Sequence, residues 1–206
     1  MRAEAGVSDG ASDDLALAQD LGARICHDLG GPVGTVAGML DLLPDDDGEM
    51  LASAREGAAE LRRRLVLWRA ATGGAGPVPL SDLPDIARGL LAGGRATLSM
   101  AIEAAPADAG QLLLLAAMIA GEALPKGGAI ELAEEAGDLV VLADGPLVRW
   151  PTALLALLAG DAAEPGPRSV VPRLFLRVVA AQGWTAELLA DRAGIAPMLL
   201  LHRPAD

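Results

Sequence analysis

The chain has 206 residues, a formal net charge of −12 and 52% hydrophobic residues, with one Phe and no Tyr. This length suits one large domain or two small ones, and the core must be mainly aliphatic. The negative charge argues against nucleic acid and anionic membranes as partners. The longest apolar run, 112–121, is shorter than the roughly 20 residues that a membrane span needs. One cysteine rules out an internal disulfide, and two histidines with that cysteine make a metal site unexpected.

The first predicted element is a long amphipathic helix. We expect residues 1–12 to form a flexible N-terminus and Ser12 or Asp13 to cap the helix, which runs to about residue 43 with a kink at Pro32. Since no basic and apolar leader precedes it, we expect a cytoplasmic protein. Apolar residues recur along the helix at steps of three and four, which indicates a buried stripe. This apolar stripe comprises Leu21, Ile25, Leu29, Pro32, Val36, Leu40 and Leu43.

A second amphipathic helix follows a turn at residues 44–48 and carries apolar residues with the same spacing. Two long helices joined by a short turn predict an antiparallel hairpin over residues 13–72. One hairpin cannot bury both apolar stripes, so we expect a homodimer in which two hairpins form a four-helix bundle. Arg62–Arg64 are expected to form a solvated face of the second helix, and Cys26 on the first helix is expected to be packed.

One face of the first helix combines a histidine with small residues. His27 lies about 200° around the helix from Ile25 and Leu29, so its side chain faces water. Each glycine on this face costs roughly 1 kcal/mol relative to alanine in a helix interior. Their presence indicates that a bulky partner lies against bare backbone. The docking residues predicted on and beside this glycine face are Gly31, Gly34, Thr35, Gly38 and Asp41.

The pattern changes after residues 73–80, whose Gly and Pro content predicts a linker. Residues 81–206 then form a second predicted domain in which helices alternate with short strands. This order predicts an α/β sandwich, one sheet covered by helices. The predicted helices are 81–92, 108–124, 152–158 and 169–181, and the predicted strands are 96–103, 129–134, 138–143, 184–189 and 197–202.

The motif His27-Asp28-x-x-x-Pro32 resembles the H-box of histidine kinases, whose helical hairpin dimerises into a four-helix bundle. The second domain is similar in order to their ATP-binding domain, with Asp144-Gly145 where the adenine-binding aspartate lies. Leu115 and Ile119 stand where the kinases carry asparagines that hold magnesium. Neither side chain offers the oxygen donor that magnesium requires. The Gly-rich phosphate loop is replaced by 168–173, so the sequence predicts a degenerate ATP site.

An intact H-box hairpin on a degenerate kinase scaffold resembles the ChpT-type histidine phosphotransferases over nearly the whole chain. Residues 24–29 and 122–128 are the most similar stretches. The resemblance implies that the protein takes a phosphoryl group from the receiver domain of a hybrid histidine kinase and passes it to response regulators of the CtrA type. It implies no cofactor or metal of its own, because the receiver supplies magnesium.

Three residues are predicted to carry the chemistry. His27 accepts the phosphoryl group, Asp28 holds the reactive tautomer of its imidazole, and Arg24 meets the phosphoryl oxygens. We expect His202, in a terminal strand, to be structural or solvated. Two alternatives remain open at this point: a histidine kinase with an aberrant ATP site, and a dimeric module that binds receivers without chemistry. The role of the second domain is also open.

Overall fold

Two long helices open the fold. The computed structural model describes residues 5–42, 48–91, 96–103, 105–189 and 197–203. Helix α1 spans Ala5–Asp41 and α2 spans Gly48–Ala71. Helix α1 therefore begins well before the predicted cap at residue 12 or 13. The segment before that cap is polar and contains no proline that would end a helix. Leu43 and residues 44–47 of the predicted turn lie outside the described residues, and Gly48, the last residue of that turn, begins α2.

An α/β region, residues 80–203, follows the two helices. Its five-stranded sheet has the order β1-β2-β3-β5-β4, with β1 and β2 parallel and the other neighbours antiparallel. A hairpin followed by an α/β sandwich is the predicted fold, and the prediction is confirmed. After a short 3₁₀ turn at Leu80–Asp82, the elements are α3 (Leu83–Leu91), β1 (Ala96–Ala101), α4 (Ala109–Glu122), β2 (Gly128–Glu135), β3 (Asp138–Asp144), α5 (Thr152–Leu158), α6 (Val170–Ala181), β4 (Thr185–Leu189) and β5 (Met198–His202).

Helix α4 forms the centre of the core. Nearly all its residues from Ala109 to Ala120 are buried, since it packs against the sheet, α3 and α6. The same core includes Leu67 and Trp68 near the end of α2. The hairpin and the α/β region therefore share one hydrophobic core.

The predicted linker at 73–80 is packed against this core. Val78 is 4% exposed, and a Cβ at Gly110 would lie only 1.9 Å from the Val78 carbonyl oxygen. The amide of Gln111 donates to the carbonyl of Ala71 at 3.0 Å, which satisfies one free carbonyl at the end of α2. Gly and Pro correctly predicted a break in the helix, but that composition does not prevent the segment from packing.

Ion pairs hold the first half of α1 on α6. Arg173 is only 9% exposed and donates to Asp20 at 2.7 Å, while the amide of Gly166 donates to the same carboxylate at 2.9 Å. Arg177 binds Asp13. Asp13 thus serves as an ion-pair partner within a longer helix and does not cap its start.

The apolar stripe of α1 has two different environments. Leu21 and Ile25 pack against the shared core, together with Leu17. Further along, the methyl carbon Cγ2 of Val36 lies 3.0 Å from where a Cβ on Gly57 of α2 would be. Leu40 is 53% exposed. The stripe was predicted as a dimer surface throughout, but its first part is covered by the chain's own α/β region.

Candidate functional site

The imidazole of His27 projects from the middle of α1 and is 84% exposed. Its Nδ1 lies 3.2 Å from Oδ1 of Asp28. With a proton on Nδ1, the ring donates to this carboxylate and leaves the lone pair of Nε2 free. A free Nε2 that points away from the helix is the form of histidine that can attack an electrophile.

His27 stands at the edge of a cleft of about 1250 Å³ between α1 and the α/β region. Residues of α5 and of the loop that precedes α6 line the cleft. Glu122 of α4 and Asp28 of α1 line it as well. Arg149 and Arg168 also line the cleft, and among the described residues neither makes an ion pair. The histidine is therefore accessible from solvent, and the cleft beside it is lined by both arginine and carboxylate side chains.

Arg24 lies one turn before Asp28 and connects three parts of the molecule. Its Nε lies 3.2 Å from both carboxylate oxygens of Asp28, its Nη2 donates to Glu122 at 2.8 Å, and its Nη1 donates to the carbonyl of Pro167 at 3.1 Å. Every nitrogen of the guanidinium thus has a protein partner. In this arrangement Arg24 contacts the carboxylate beside His27, and its contact with phosphoryl oxygens stays a prediction.

The charges around Arg24 are partly removed from water. Burial disfavours the charged form of Arg24, but the carboxylates of Glu122 and Asp28 outweigh it and raise the pKa of the guanidinium. Burial also raises the pKa of Glu122; the attraction of Arg24 opposes this effect, and the Asp28 charge adds to it. Two carboxylates around one guanidinium therefore raise the pKa of Arg24, whereas burial raises the pKa of Glu122.

The main chain of Asp28 is fixed from the other helix. Helix α1 continues through Pro32, whose ring nitrogen carries no hydrogen, so the Asp28 carbonyl loses its usual donor four residues later. Arg64 of α2 supplies a replacement, because its Nη1 donates to this carbonyl at 3.0 Å, while Nε pairs with Glu60 at 2.8 Å. Of the predicted solvated face at 62–64, Arg64 is therefore bound to the site.

The glycine face is open in the structure. A Cβ added at Gly31, Gly34 or Gly38 would meet no atom within 4 Å. Thr35 donates from its hydroxyl to the carbonyl of Gly31 at 3.2 Å, and Asp41 is exposed near the end of the helix. All the predicted docking residues thus lie on the same helix as His27, with free space above the glycines.

Two other sequence expectations concern isolated residues. Cys26 is exposed, so its predicted packing role is wrong. His202 lies in β5 opposite Thr185, whose hydroxyl is within hydrogen-bond distance of its ring at 2.7 Å. Its structural role is confirmed. No cluster of His, Cys, Asp and Glu suited to a metal ion occurs within the described ranges.

The positions that correspond to the kinase magnesium asparagines belong to the core. Leu115 and Ile119 are fully buried in α4. Both contribute hydrocarbon to the packing between α4 and the sheet, and neither borders the cleft beside His27. These two positions therefore stabilise the fold of the α/β region.

Sequence reasoning missed Glu122, the contact of Arg64, and the cleft arginines. A signal for Glu122 was present, because an acidic residue at the C-terminal end of an apolar helix opposes the helix dipole. Such a residue needs a cationic partner nearby. The sequence could not identify that partner, since Arg24 lies 98 residues away along the chain.

Comparisons with known proteins agree with this architecture. Residues 80–194 match the family model of the histidine phosphotransferase C-terminal domain. The protein phosphotransferase ChpT of Brucella abortus (strain 2308) is 31% identical over 207 residues, which cover 92% of this chain and 93% of the relative. The chain belongs to the histidine phosphotransferase family.

A solved structure extends the similarity of this histidine phosphotransferase to the whole fold. A bacterial phosphotransferase determined at 1.7 Å matches with a TM-score of 0.76 and 26% identity, covering 91% of this chain and 96% of that chain. The family assignment confirms the predicted activity, that of a phosphorelay histidine phosphotransferase. In the part of the chain that the structure describes, no helix has the length and apolar character to cross a membrane.

Proposed function

We propose that His27 is the phosphoryl-accepting residue of this histidine phosphotransferase and exchanges the group with receiver-domain aspartates. The observation that supports this most strongly is the geometry of its ring. The imidazole is 84% exposed at the edge of a cleft, and only Nδ1 is engaged, with Asp28. The other histidine, His202, lies against Thr185 in the sheet.

In the proposed reaction, Nε2 of His27 attacks the phosphorus of an aspartyl phosphate on the receiver. The Nε2–P bond forms as the P–O bond breaks, and the receiver's carboxylate leaves with the bonding electrons. The proton on Nδ1 stays in place, so the phosphorylated ring carries a positive charge that the Asp28 carboxylate stabilises. In the second half, the carboxylate of another receiver attacks the phosphorus and neutral imidazole leaves.

The receiver is proposed to lie across the glycine face and to reach the cleft. Open space above Gly31 and Gly34 leaves room for a helix of the partner, and Arg149 and Arg168 suit the acidic pocket that surrounds a receiver's aspartate. The receiver brings its own magnesium, so this chain supplies position and charge. By family resemblance, the donor is a hybrid histidine kinase and the acceptors are response regulators of the CtrA type.

The hairpin is also proposed to form a homodimer. Val33 and Leu40 of α1 and Leu65 of α2 expose 48%, 53% and 47% of their surface, which gives the helical pair apolar area that a partner can cover. Burying them in a four-helix bundle would remove this surface from water. We place the protein in the cytoplasm, where an exposed thiol such as Cys26 stays reduced.

The decisive experiment follows label from a phosphorylated receiver onto this protein. We expect His27→Ala to take up no label and yet to bind the receiver with nearly the parent's affinity. His202→Ala is the matched control and should be labelled like the parent. Label on His27→Ala would overturn the assignment of the acceptor, and absence of label on the parent with a panel of receivers would favour a binding module without chemistry.

A second measurement separates the phosphotransferase from an aberrant kinase. We expect no binding of ATP with magnesium in calorimetry and no autophosphorylation, because Leu115 and Ile119 offer hydrocarbon where oxygen ligands are needed. Micromolar ATP affinity together with label on His27 would support the kinase.

A further inference from the structure

We infer that Glu122, which belongs to the α/β region, is a positioning residue for phosphoryl transfer and acts on His27 through Arg24 and Asp28. This inference rests on the proposed function, in which His27 is the acceptor. It assigns the α/β region a part in the chemistry: fixing the ring that accepts the phosphoryl group.

A continuous set of polar contacts links Glu122 to the imidazole. Glu122 accepts from Nη2 of Arg24 at 2.8 Å, Nε of the same guanidinium lies 3.2 Å from the Asp28 oxygens, and Asp28 Oδ1 lies 3.2 Å from Nδ1 of His27. Because a guanidinium is planar and rigid, fixing one of its edges fixes the direction of the others. Glu122 therefore determines where Arg24 presents its Nε–H to Asp28.

The α/β region is needed for this because Arg24 has a long, flexible side chain. On an isolated α1 it would hold Asp28 only by an ion pair four residues apart, which is weak when exposed to water. Glu122 and the Pro167 carbonyl confine two further nitrogens of Arg24, and its side chain is 22% exposed. A confined Arg24 keeps Asp28 directed at Nδ1, which favours the tautomer with a free Nε2.

Glu122 could alternatively only stabilise the packing of α1 on the α/β region. Asp20 offers a matched control for this alternative. Asp20 also joins α1 to the α/β region, through Arg173 and the amide of Gly166, but it lies two turns before His27. Among the described residues it forms no hydrogen bond or ion pair with Asp28 or Arg24. Arg173 is 9% exposed, so losing Asp20 should destabilise the fold at least as much as losing Glu122.

The experiment compares Glu122→Ala, Glu122→Gln and Asp20→Ala as full-length protein. Single-turnover transfer from a phosphorylated receiver is measured at saturating receiver. We expect Glu122→Ala to slow transfer roughly tenfold with unchanged receiver affinity. Glu122→Gln keeps an oxygen that accepts from Arg24 and should recover most of the rate. Asp20→Ala should transfer like the parent although it melts at a lower temperature.

A spectroscopic readout tests the position of the ring directly. The chain has two histidines, so in a His202→Gln background the imidazole ¹⁵N shifts report only His27. Glu122→Ala should lower the fraction of rings protonated on Nδ1 in the neutral form, and Asp20→Ala should leave it unchanged. Arg24→Ala combined with Glu122→Ala should be no slower than Arg24→Ala alone, because Glu122 acts through Arg24.

Each result has a definite reading. A parent-like rate and tautomer in Glu122→Ala would overturn the positioning role while His27 remains the acceptor. A rate loss that Asp20→Ala shares in proportion to its stability loss would also overturn it, in favour of a brace. Label on His27→Ala would instead remove the proposed function itself.

Discussion

The two halves of α1 differ in almost every respect, although they form one continuous helix. Up to Asp28, the helix is held by the α/β region: Asp20 binds Arg173, Arg24 binds Glu122, and Ile25 packs against the shared core. After Asp28, among the described residues, no ion pair or side-chain hydrogen bond joins the helix to the α/β region, and the helix exposes Gly31 and Leu40. His27 lies at the junction of the two.

This difference shows how one helix meets two conflicting needs. A phosphoryl acceptor must be oriented accurately, which requires many contacts, and it must be reached by a protein partner, which requires few. The first half provides the contacts and the second half the access. Because α1 is unbroken through Pro32, the fixed half also sets the direction of the open half.

The largest effect is expected on receiver binding, when a bulky side chain is added to the half of α1 that follows Asp28. Gly34→Leu places a large side chain where a receiver helix is proposed to dock, and it should weaken receiver binding roughly a hundredfold, or about 2.7 kcal/mol. Gly22→Leu is the matched control, because Gly22 also has free space around its Cβ position but lies on the first half. Both variants should raise helix stability by several tenths of a kcal/mol. Parent-like binding by Gly34→Leu, measured by calorimetry, would place docking elsewhere.

Substitutions in the half of α1 that precedes Asp28 should lower the stability of the fold more than substitutions in the second half. Ile25→Ala removes packing against the shared core and should lower the free energy of unfolding by about 2 kcal/mol, measured by urea denaturation. Leu40→Ala removes an exposed side chain and should instead weaken the dimer, seen by sedimentation equilibrium. If Ile25→Ala dissociates the dimer and Leu40→Ala does not, the two halves have the opposite roles.

A smaller effect is expected at the junction. Arg64→Ala leaves the Asp28 carbonyl without a donor and should cost about 1 kcal/mol, whereas Arg63→Ala breaks only an ion pair with the exposed Glu56 and should cost less. In a Pro32→Ala background the amide of residue 32 can donate to Asp28 again, so the cost of Arg64→Ala should shrink. Equal costs in both backgrounds would contradict this explanation of the contact.

The smallest effect concerns pH. Burial raises the pKa of Glu122 above its ordinary value of 4.5, so the folded state binds a proton more readily than the unfolded chain. This contribution to stability is complete below the unfolded pKa and is lost as pH rises through the folded pKa. The stability of the parent relative to Glu122→Gln should therefore fall from about pH 4.5 upward. A relative stability that rises with pH in urea titrations would show that Arg24 outweighs burial.

Much of this fold could be predicted from the sequence, for a physical reason. Helix and strand periods are local, so α1, α2 and every strand of the α/β region were recognised from nearby residues, with bounds that shifted by a few positions. The motif around His27 was equally local. The apolar stripe was also found, but the sequence analysis predicted that a second copy of the hairpin buries it. Periodicity shows that a face is buried and does not show which element buries it.

The site's supporting contacts could not be predicted in this way. Arg24 meets Glu122 and Pro167 across 98 and 143 residues, and neither distance leaves a trace in local spacing. The role of Arg64 depends on a carbonyl that Pro32 leaves free, which becomes visible only when the two helices are placed side by side. The sequence thus supplied the proposed acceptor, His27, and the structure shows the contacts around the carboxylate beside it.

The single free ring nitrogen of His27 has a kinetic consequence. Asp28 engages Nδ1, and two receivers cannot occupy Nε2 at the same time. In the proposed reaction, donor and acceptor receivers therefore alternate on the same surface, which gives double-displacement kinetics. Each unphosphorylated receiver then competes with the phosphorylated donor for the carrier. In this scheme, the ratio of phosphorylated to unphosphorylated receivers sets the phosphorylated fraction of the carrier. The same ratio sets the direction of net phosphoryl transfer.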